Sequence, residues 1–284
     1  MAPFTYTPSF SANGSPYATF TFQVEDNGVP GYILDTTPNT ITINVTPVND
    51  PPVMATVTNP EGIPKNSPLQ QVNLASISAG GGESQIISIS ATSSNPALIP
   101  HPTVTYTSPA ATGVLSFTPV ANATGTAVIT VTLTDNGGTA NGGIDTATRT
   151  FTVTVHTPFQ TWAKLNSLPT TPTPTNLLRY GFGLNADGTD PGIITVDSGN
   201  ISRHGSPNII TQDGVNFTAL FGRRKASDLT YAVQFSDTLA AWETTTTEPT
   251  VIADDGTIEA CSVPFPANLQ NGNPPKFFRV IVTH

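Results

Sequence analysis

Six side chains with oxygen atoms carry the clearest possible chemistry in this sequence. They come from three separate stretches: a Pro-rich segment supplies Asn49 and Asp50, a Gly-rich segment supplies Glu83, and the stretch from 135 to 145 supplies Asp135, Asn136 and Asp145. Carboxylate and amide oxygens suit Ca²⁺, which takes six to eight oxygen ligands at about 2.3–2.6 Å. Asp-Asn-Gly is also an ordinary turn sequence. Calcium binding therefore depends on whether the fold brings the three stretches together.

An internal repeat in the sequence predicts the β-strands that position these residues. Residues 4–46 and residues 115–156 share the same pattern, in which Tyr6-Thr7-Pro8 matches Phe117-Thr118-Pro119 and Asp26-Asn27-Gly28 matches Asp135-Asn136-Gly137. The apolar alternation matches as well, with Phe20, Phe22 and Val24 against Ile129, Val131 and Leu133, and Ile41, Ile43 and Val45 against Phe151, Val153 and Val155. Alternating strands repeated at long period predict tandem β-sandwiches, the first of them partial.

We therefore predict an all-β chain of three parts. Residues 1–50 form the C-terminal half of a cadherin-like sandwich, 51–157 a complete Ig/cadherin-like sandwich, and 158–284 a C-terminal β-sandwich module that begins with a Pro/Thr-rich linker. Predicted strands lie near 3–7, 17–25 and 39–46; near 53–58, 70–75, 85–92, 103–107, 114–118, 126–134 and 147–155; and near 193–196, 208–211, 215–221, 229–235, 250–253, 257–263 and 277–283. One or two helical turns are possible at Asn176–Leu184.

The direction of the strands predicts where the six ligands meet. Successive antiparallel strands alternate in direction, so the turns after the second, fourth and sixth strands of the complete sandwich lie at one pole. The incoming linker reaches that same pole. Asn49, Asp50, Glu83, Asp135, Asn136 and Asp145 are therefore expected to gather at the first domain joint, with Ca²⁺ as a possible cofactor.

The first 156 residues also resemble known bacterial families. The string FTYTP…FTFQVEDNG…ITINVTPVNDPPV is similar to the end of a cadherin-like (tandem-95, VCBS-type) repeat, and NLASISAGGGESQ…LSFTPVANATGTAVITVTLTDNGG resembles the Ig-like modules that accompany such repeats. The resemblance implies a large secreted or cell-surface bacterial protein built from stalk modules, often stiffened by calcium. Its partners would be neighbouring domains of a longer chain.

The third part resembles a β-rich module at the C-termini of large secreted bacterial proteins. The matching residues are Phe159…Trp162 with NLLRYGFGL, LTYAVQFS…Trp242, and FFRV. Relatives carry an Asp-rich, calcium-loop-like stretch between the Trp and NLL. Here that stretch is rich in Pro and Thr, so no metal site is carried over.

Catalytic motifs are sparse, so we expect a non-catalytic structural or adhesive segment. The alternative is a glycoside or ester hydrolase, or a carbohydrate-binding module, with its site in 176–284. A pair of carboxylates could hydrolyse a glycoside; the candidates are Asp187, Asp190, Asp197, Asp213, Asp237 and Glu243. His204 with nearby serines and Asp197 or Asp213 is a weaker hydrolase arrangement, and Trp162 and Trp242 are expected to pack rather than to bind sugar.

Charge and cysteine content narrow the possible partners. The net charge is −9 and only 10% of residues are charged, and residues 1–52 contain no Lys or Arg, so nucleic acid is an unsuitable partner. No apolar run is long enough for a membrane span. The single cysteine, Cys261, cannot form an intrachain disulfide and is expected to be buried. A glycan or surface ligand is possible, as is a homo-oligomer formed through the incomplete N-terminal sandwich.

Overall fold

The chain folds almost entirely into β-strands. The computed structural model describes residues 4–9, 12–26, 33–189, 192–211, 216–225 and 227–284. Within them lie twenty strands, two α-helices and a short 3-10 turn at Ala140–Gly142. The predicted all-β class is confirmed.

The first half of the chain holds eleven strands in four sheets. The strands are β1 (Gly14–Phe22), β2 (Glu25–Asp26), β3 (Ile33–Leu34), β4 (Asn39–Val45), β5 (Ile63–Pro64), β6 (Gln70–Ala75), β7 (Ile87–Ser93), β8 (Thr103–Thr105), β9 (Thr112–Phe117), β10 (Gly125–Asp135) and β11 (Thr146–His156). Strands β1 and β4 pair as a ribbon, as do β2 and β3. The complete repeat has the sheets β6-β9-β8 and β5-β11-β10-β7.

Period-two alternation places the core of the complete repeat. In β10 the buried residues are Ala127, Ile129, Val131 and Leu133, and the residues between them are at least partly exposed. Leu115 and Phe117 of β9 are buried in the same alternating way. Each such side chain contributes about 1.5–3 kcal/mol when fully removed from water. The core therefore follows directly from the apolar alternation.

The rest of the chain holds two helices and nine strands. They are α1 (Pro158–Leu165), α2 (Pro174–Phe182), β12 (Thr195–Asp197), β13 (Asn200–Arg203), β14 (Asn208–Thr211), β15 (Phe217–Arg224), β16 (Thr230–Ser236), β17 (Glu243–Thr244), β18 (Thr250–Asp254), β19 (Ile258–Pro264) and β20 (Phe277–Thr283). The sheets are β14-β15-β19-β18, β17-β16-β20 and β12-β13. One core cluster of these sheets includes Phe221 and Phe235.

The chain divides into two compact units. The first contains the described residues up to Glu61 together with Ser67–Val120 and Thr126–Val153; the second contains Gly62–Asn66, Ala121–Gly125 and Thr154–His284. The three-part division remains a prediction, because compactness alone does not separate the first ribbon from the complete repeat.

The structure corrects the sequence prediction in three places. The stretch 53–58 contributes only an isolated bridge between Val53 and Ser78, and residues 4–7 form no strand. Helix α1 was not predicted. Its signal was present, because Thr157 accepts a hydrogen bond from the amide of Gln160 while the Gln160 side chain accepts one from the amide of Thr157, and Pro158 follows the cap.

Candidate functional site at the first linker

Asn49 is the centre of a hydrogen-bond network that fixes the linker to the complete repeat. Its Nδ2 donates to Oδ1 of Asp135 at 2.9 Å and to the carbonyl of Ile144 at 2.8 Å. Its Oδ1 accepts from Nε2 of Gln85 at 2.8 Å, and its backbone carbonyl accepts from the amide of Ile144 at 3.0 Å. One asparagine therefore joins the linker to two turns of the repeat. We call the set Asn49, Asp50, Gln85, Asp135 and Ile144 the linker clamp.

Asp135 ends β10 and is only 5% exposed. Its Oδ1 also accepts from the amide of Gly137 at 2.9 Å, and its own amide donates to the carbonyl of Asp145 at 2.9 Å. Its Oδ2 is buried without a hydrogen-bond partner, and the same holds for Oε1 of Gln85. Burying a polar atom without a partner costs about 1–3 kcal/mol. The network thus contains two oxygen atoms that could each accept a further donor or a cation.

Asp50 attaches to the Gly-rich turn. Its amide donates to Oε2 of Glu83 at 3.1 Å, and the amide of Glu83 closes the turn on the carbonyl of Gly80 at 2.8 Å. The turn runs through three glycines with positive φ, Gly80, Gly81 and Gly82. The linker therefore docks on this turn as well as on the end of β10.

Close backbone approach requires glycine at two of these positions. A Cβ on Gly81 would lie 2.0 Å from Oδ2 of Asp50, and a Cβ on Gly137 would lie 1.8 Å from Oδ1 of Asn49. Real side-chain carbons do not approach oxygen so closely, so a larger residue at either position must displace the Asp50 or Asn49 side chain of the linker. The glycines are part of the docking surface as well as of the turns.

The structure brings five of the six predicted ligands into this region by their side chains. Besides Asn49, Asp50, Glu83 and Asp135, Asn136 takes part, since its Oδ1 accepts from the amide of Ile86 at 2.8 Å. Asp145 contributes its backbone carbonyl. Gln85 was missed by sequence reasoning; its only signal was its place two residues after Glu83, in the same irregular segment before β7.

The side-chain oxygens near the linker are arranged to accept hydrogen bonds rather than to form a cluster of carboxylates around a metal ion. Among the described residues, no three His, Cys, Asp or Glu side chains are grouped to hold a metal ion. Four oxygens of the predicted ligands accept hydrogen bonds from amides: Oδ1 of Asn49, Oε2 of Glu83, Oδ1 of Asp135 and Oδ1 of Asn136. Two buried oxygens of the clamp that have no donor, Oδ2 of Asp135 and Oε1 of Gln85, are hard ligands of the kind that Ca²⁺ prefers.

His204 lies in a different setting from the one that the sequence analysis expected. Nε2 of His204 is 2.5 Å from Oδ2 of Asp255, while Oδ1 of Asp255 accepts from the amides of Thr257 and Ile258. Asp197, one expected partner, instead accepts from the hydroxyl of Ser198. Asp213, the other, lies outside the described residues. No serine hydroxyl is recorded bonding to the imidazole within the described chain.

Three of the candidate hydrolytic carboxylates accept hydrogen bonds that hold loops in place: Asp187 within its own loop, and Asp237 and Glu243 from the loop near residues 270–273. Asp187 accepts from the hydroxyl and amide of Thr189, and Asp237 accepts from the amides of Asn271 and Asn273. Those hydrogen bonds lower the pKa of both carboxyl groups, whereas a glycosidase acid needs a raised pKa. Both oxygens of Glu243 accept from the amide of Gln270. Asp190 lies outside the described residues.

The two tryptophans make packing contacts. Trp162 packs against the cluster of Phe159, Ala163 and Tyr180. Trp242 donates from Nε1 to the carbonyl of Leu239, and the guanidinium of Arg279 lies 4.3 Å from its ring centre. Cys261 is fully buried, and that burial raises the pKa of its thiol to about 11.

His156 ends β11 and is partly covered. A Cβ on Gly62 would lie 2.0 Å from its Nε2, and its Nδ1 is buried without a partner. The ring therefore packs on the backbone of Gly62, which explains why the short strand β5 can pair with the end of β11 there.

No family model and no curated protein matches this sequence. Solved structures show only distant likeness. Domains 4 and 5 of the S-layer protein SbsC match at 12% identity and a TM-score of 0.24, over 43% of this chain and 63% of that one. A longer form of SbsC, residues 31–844, gives 10% identity and 0.26, over 89% and 28%. The cadherin-like domains 1 to 4 of zebrafish RET give 10% and 0.29, over 86% and 50%.

This chain therefore spans less than two thirds of each of these structures, and TM-scores of this size carry no argument about its activity. No helix among the described residues has the length and apolar character needed to cross a membrane.

Proposed function

We propose that the chain is a non-catalytic structural or adhesive segment of a large secreted or cell-surface bacterial protein, in which a fixed linker transmits load between successive β-modules. The observation that carries the proposal is the linker clamp. A flexible tether would be exposed and would make few contacts, whereas Asn49 makes four hydrogen bonds to the repeat. Two glycines fit closely against the same segment.

The chemistry of the chain supports the same function. Repeated modules with few charges and many Thr, Ser and Asn residues suit an extracellular stalk. The candidate carboxylates Asp187 and Asp237 have lowered pKa values, which supports a role in holding loops rather than in acid catalysis.

We further propose that a calcium ion can bind at the clamp. The supporting observation is that Oδ2 of Asp135 and Oε1 of Gln85 are both buried without a donor, while their side chains are joined through the amide of Asn49. Because the buried part of the clamp offers two unpartnered oxygens among the described residues, water would complete the coordination and the affinity would be low, about 10⁻⁴–10⁻³ M as in extracellular modules. Calcium would then stabilise the docked linker.

Backbone hydrogen exchange tests the fixed linker. The amides of Asp50 and Ile144 donate to Glu83 and to Asn49 across the clamp. If the linker is fixed, both amides exchange only as fast as the repeat itself opens. Exchange at the rate of an exposed peptide, with the β10 amides still protected, would show that the linker is not fixed to the repeat.

Thermal unfolding, measured once in millimolar calcium and once in chelator, tests the calcium proposal independently of the fixed linker. We expect a higher midpoint with calcium for the native chain and no difference for Asp135→Asn, which replaces the orphan oxygen with a nitrogen of similar shape. Asp145→Asn is the control, because the residue serves the network through its backbone carbonyl; its midpoint should still respond to calcium. Equal midpoints for the native chain under both conditions would remove calcium and leave the linker proposal in place.

A further inference from the structure

The sequence contains five Asn-Gly pairs, at positions 13–14, 27–28, 136–137, 141–142 and 271–272. Because glycine has no side chain, its amide nitrogen can approach the side-chain carbonyl carbon of the preceding asparagine with little steric hindrance. Attack at that carbon releases the side-chain amide as ammonia. A pair reacts in a folded protein only if the structure leaves both groups free to meet, so the restraints on each pair decide which one reacts.

The pair at 136–137 is held at both reacting groups. Oδ1 of Asn136 accepts a hydrogen bond from the amide of Ile86 at 2.8 Å. The amide of Gly137 donates to Oδ1 of Asp135 at 2.9 Å. Both hydrogen bonds must break before the amide nitrogen can reach the side-chain carbon, so this pair is protected.

The pair at 271–272 is protected in the same way. Oδ1 of Asn271 accepts from the amide of Asn273 at 3.0 Å, and its Nδ2 donates to Oδ2 of Asp237 at 3.3 Å. The amide of Gly272 donates to the carbonyl of Leu269 at 2.9 Å. The side chain and the attacking amide are therefore both fixed.

The pair at 13–14 is restrained by a strand. Gly14 begins β1 and lies opposite Val45 of β4 in the antiparallel ladder. Attack by its amide nitrogen on the side chain of Asn13 requires the peptide to rotate out of that ladder. The pair at 27–28 lies outside the described residues.

Asn141 is the least restrained asparagine among the described pairs. It lies in the single 3-10 turn Ala140–Gly142 with φ 56° and ψ 23°, and both Asn141 and Gly142 are exposed. Its side chain makes no hydrogen bond within the described part of the chain, and nothing lies within 4 Å of a Cβ built on Gly142. Hydrogen bonds of a 3-10 turn have poor geometry, so this turn opens at low cost.

We propose that Asn141 is a deamidation site of the folded chain. When the turn opens, the amide nitrogen of Gly142 attacks Cγ of Asn141 intramolecularly. The new N–Cγ bond closes a cyclic succinimide, the Cγ–Nδ2 bond breaks, and ammonia leaves with the amide proton of Gly142. Water then opens the ring, giving aspartate by attack at Cγ or isoaspartate by attack at the main-chain carbonyl. Water is the only co-reactant, and no electron is transferred.

The isoaspartyl product loosens the linker clamp, an effect that rests on the fixed linker proposed above. A Cβ built on Gly143 would lie 3.0 Å from Cβ of Asn49, and the next residue, Ile144, makes two hydrogen bonds to Asn49. Isoaspartate lengthens the backbone by a methylene group and adds a negative charge. Gly143 and Ile144 then lose their fit to Asn49, so deamidation releases the linker irreversibly and with time.

Peptide mass spectrometry of the intact chain, incubated at mildly alkaline pH, tests the site, and an isoaspartate-specific methyltransferase identifies the product. We expect Asn141 to convert at least about tenfold faster than Asn13, Asn136 and Asn271, because those pairs react only when larger parts of the structure open. In urea the rates should converge. Conversion of Asn136 or Asn271 as fast as Asn141 in the folded chain, or conversion of Asn141 in urea only, would overturn the proposal.

Hydrogen exchange of the aged chain tests the effect on the clamp. The amides of Asp50 and Ile144 should exchange faster after incubation than before it. Asn141→Gly is the matched control, because glycine adopts positive φ without strain and has no side-chain amide to lose; its exchange should not change on incubation. Unchanged exchange in a chain that carries isoaspartate would overturn the effect on the clamp. Failure of the fixed linker is a different result, since both amides would then exchange fast in the fresh chain as well.

Discussion

The side chain of Asn49 donates a 2.9 Å hydrogen bond to Oδ1 of Asp135, a residue 86 positions later in the sequence. Asn49 lies in the linker that follows β4, and Asp135 ends β10. The bond is part-buried, and hydrogen bonds to a charged group contribute about 1.5–3 kcal/mol. It therefore ties the stability of the complete repeat to the position of the linker.

Replacing Asn49 tests that relationship. Asn49→Ala removes partners from Asp135, Gln85 and the carbonyl of Ile144 at once. We expect the free energy of unfolding of the first unit to fall by about 2 kcal/mol, because buried polar groups are left unsatisfied. Urea denaturation measures the change. Val48→Ala, one residue earlier and 45% exposed, should cost less than about 0.5 kcal/mol; equal losses in the two variants would contradict a specific role for Asn49.

Alanine substitutions at two adjacent glycines distinguish the cost of backbone strain from the cost of disturbing the contact with the linker. Gly81 and Gly82 both have positive φ, so alanine at either position costs about 1 kcal/mol in backbone strain. Only at Gly81 does the added Cβ meet Asp50, since nothing lies within 4 Å of a Cβ on Gly82. We expect Gly81→Ala to lower the thermal midpoint clearly more than Gly82→Ala and to speed exchange of the Asp50 amide. Indistinguishable variants would mean that the turn does not contact the linker.

We expect removal of the hydroxyl group to change stability differently at two tyrosines. The hydroxyl of Tyr231 accepts from the amide of Arg224 at 3.0 Å and donates to the carbonyl of Gly181 at 2.9 Å, joining β15 to the end of α2. The hydroxyl of Tyr106 is buried without a partner. Tyr231→Phe should destabilise the second unit by about 1–3 kcal/mol, whereas Tyr106→Phe should leave the first unit unchanged or slightly more stable. Calorimetry of both variants checks the signs, and a clear loss at Tyr106→Phe would reveal a partner for that hydroxyl.

The buried thiol gives a prediction about pH. Burial raises the pKa of Cys261 to about 11 in the folded state. The folded chain therefore holds this proton when the unfolded chain has lost it, so stability is fully present below the ordinary thiol pKa and falls as the pH rises from there through about 11. Cys261→Ala should flatten this alkaline fall relative to the native chain, when unfolding is followed from pH 8 to pH 11.

The same burial predicts slow alkylation of Cys261. Iodoacetamide reacts with the thiolate, so at pH 8 the folded protein should react at least about tenfold more slowly than the protein in urea. Similar rates in the two states would show that the thiol is reached without unfolding.

Local pattern was enough to place most strands. Strands β6, β14 and β20 begin and end at the predicted residues, because apolar alternation bounded by turn residues depends on short-range chemistry. The helix at Pro158 was overlooked although Thr157 and Gln160 form a capping box. The isolated bridge at Val53 was overestimated as a strand, since Pro51 and Pro52 on its N-terminal side and Asn59-Pro60 after it limit ladder pairing.

The sequence by itself determined that the chain is built from repeated β-sandwich elements, that Cys261 has no cysteine partner, and that oxygen-bearing residues would meet at the first linker. It could do so because period-two burial and strand direction are local properties that carry over to the fold. Only the tertiary structure decided which oxygens accept a hydrogen bond from an amide and which have no donor. It also added Gln85 to the hydrogen-bond network and placed Gly81 and Gly137 against the linker. Those outcomes depend on distances of a few tenths of an ångström between residues far apart in the chain, and no sequence pattern encodes them directly.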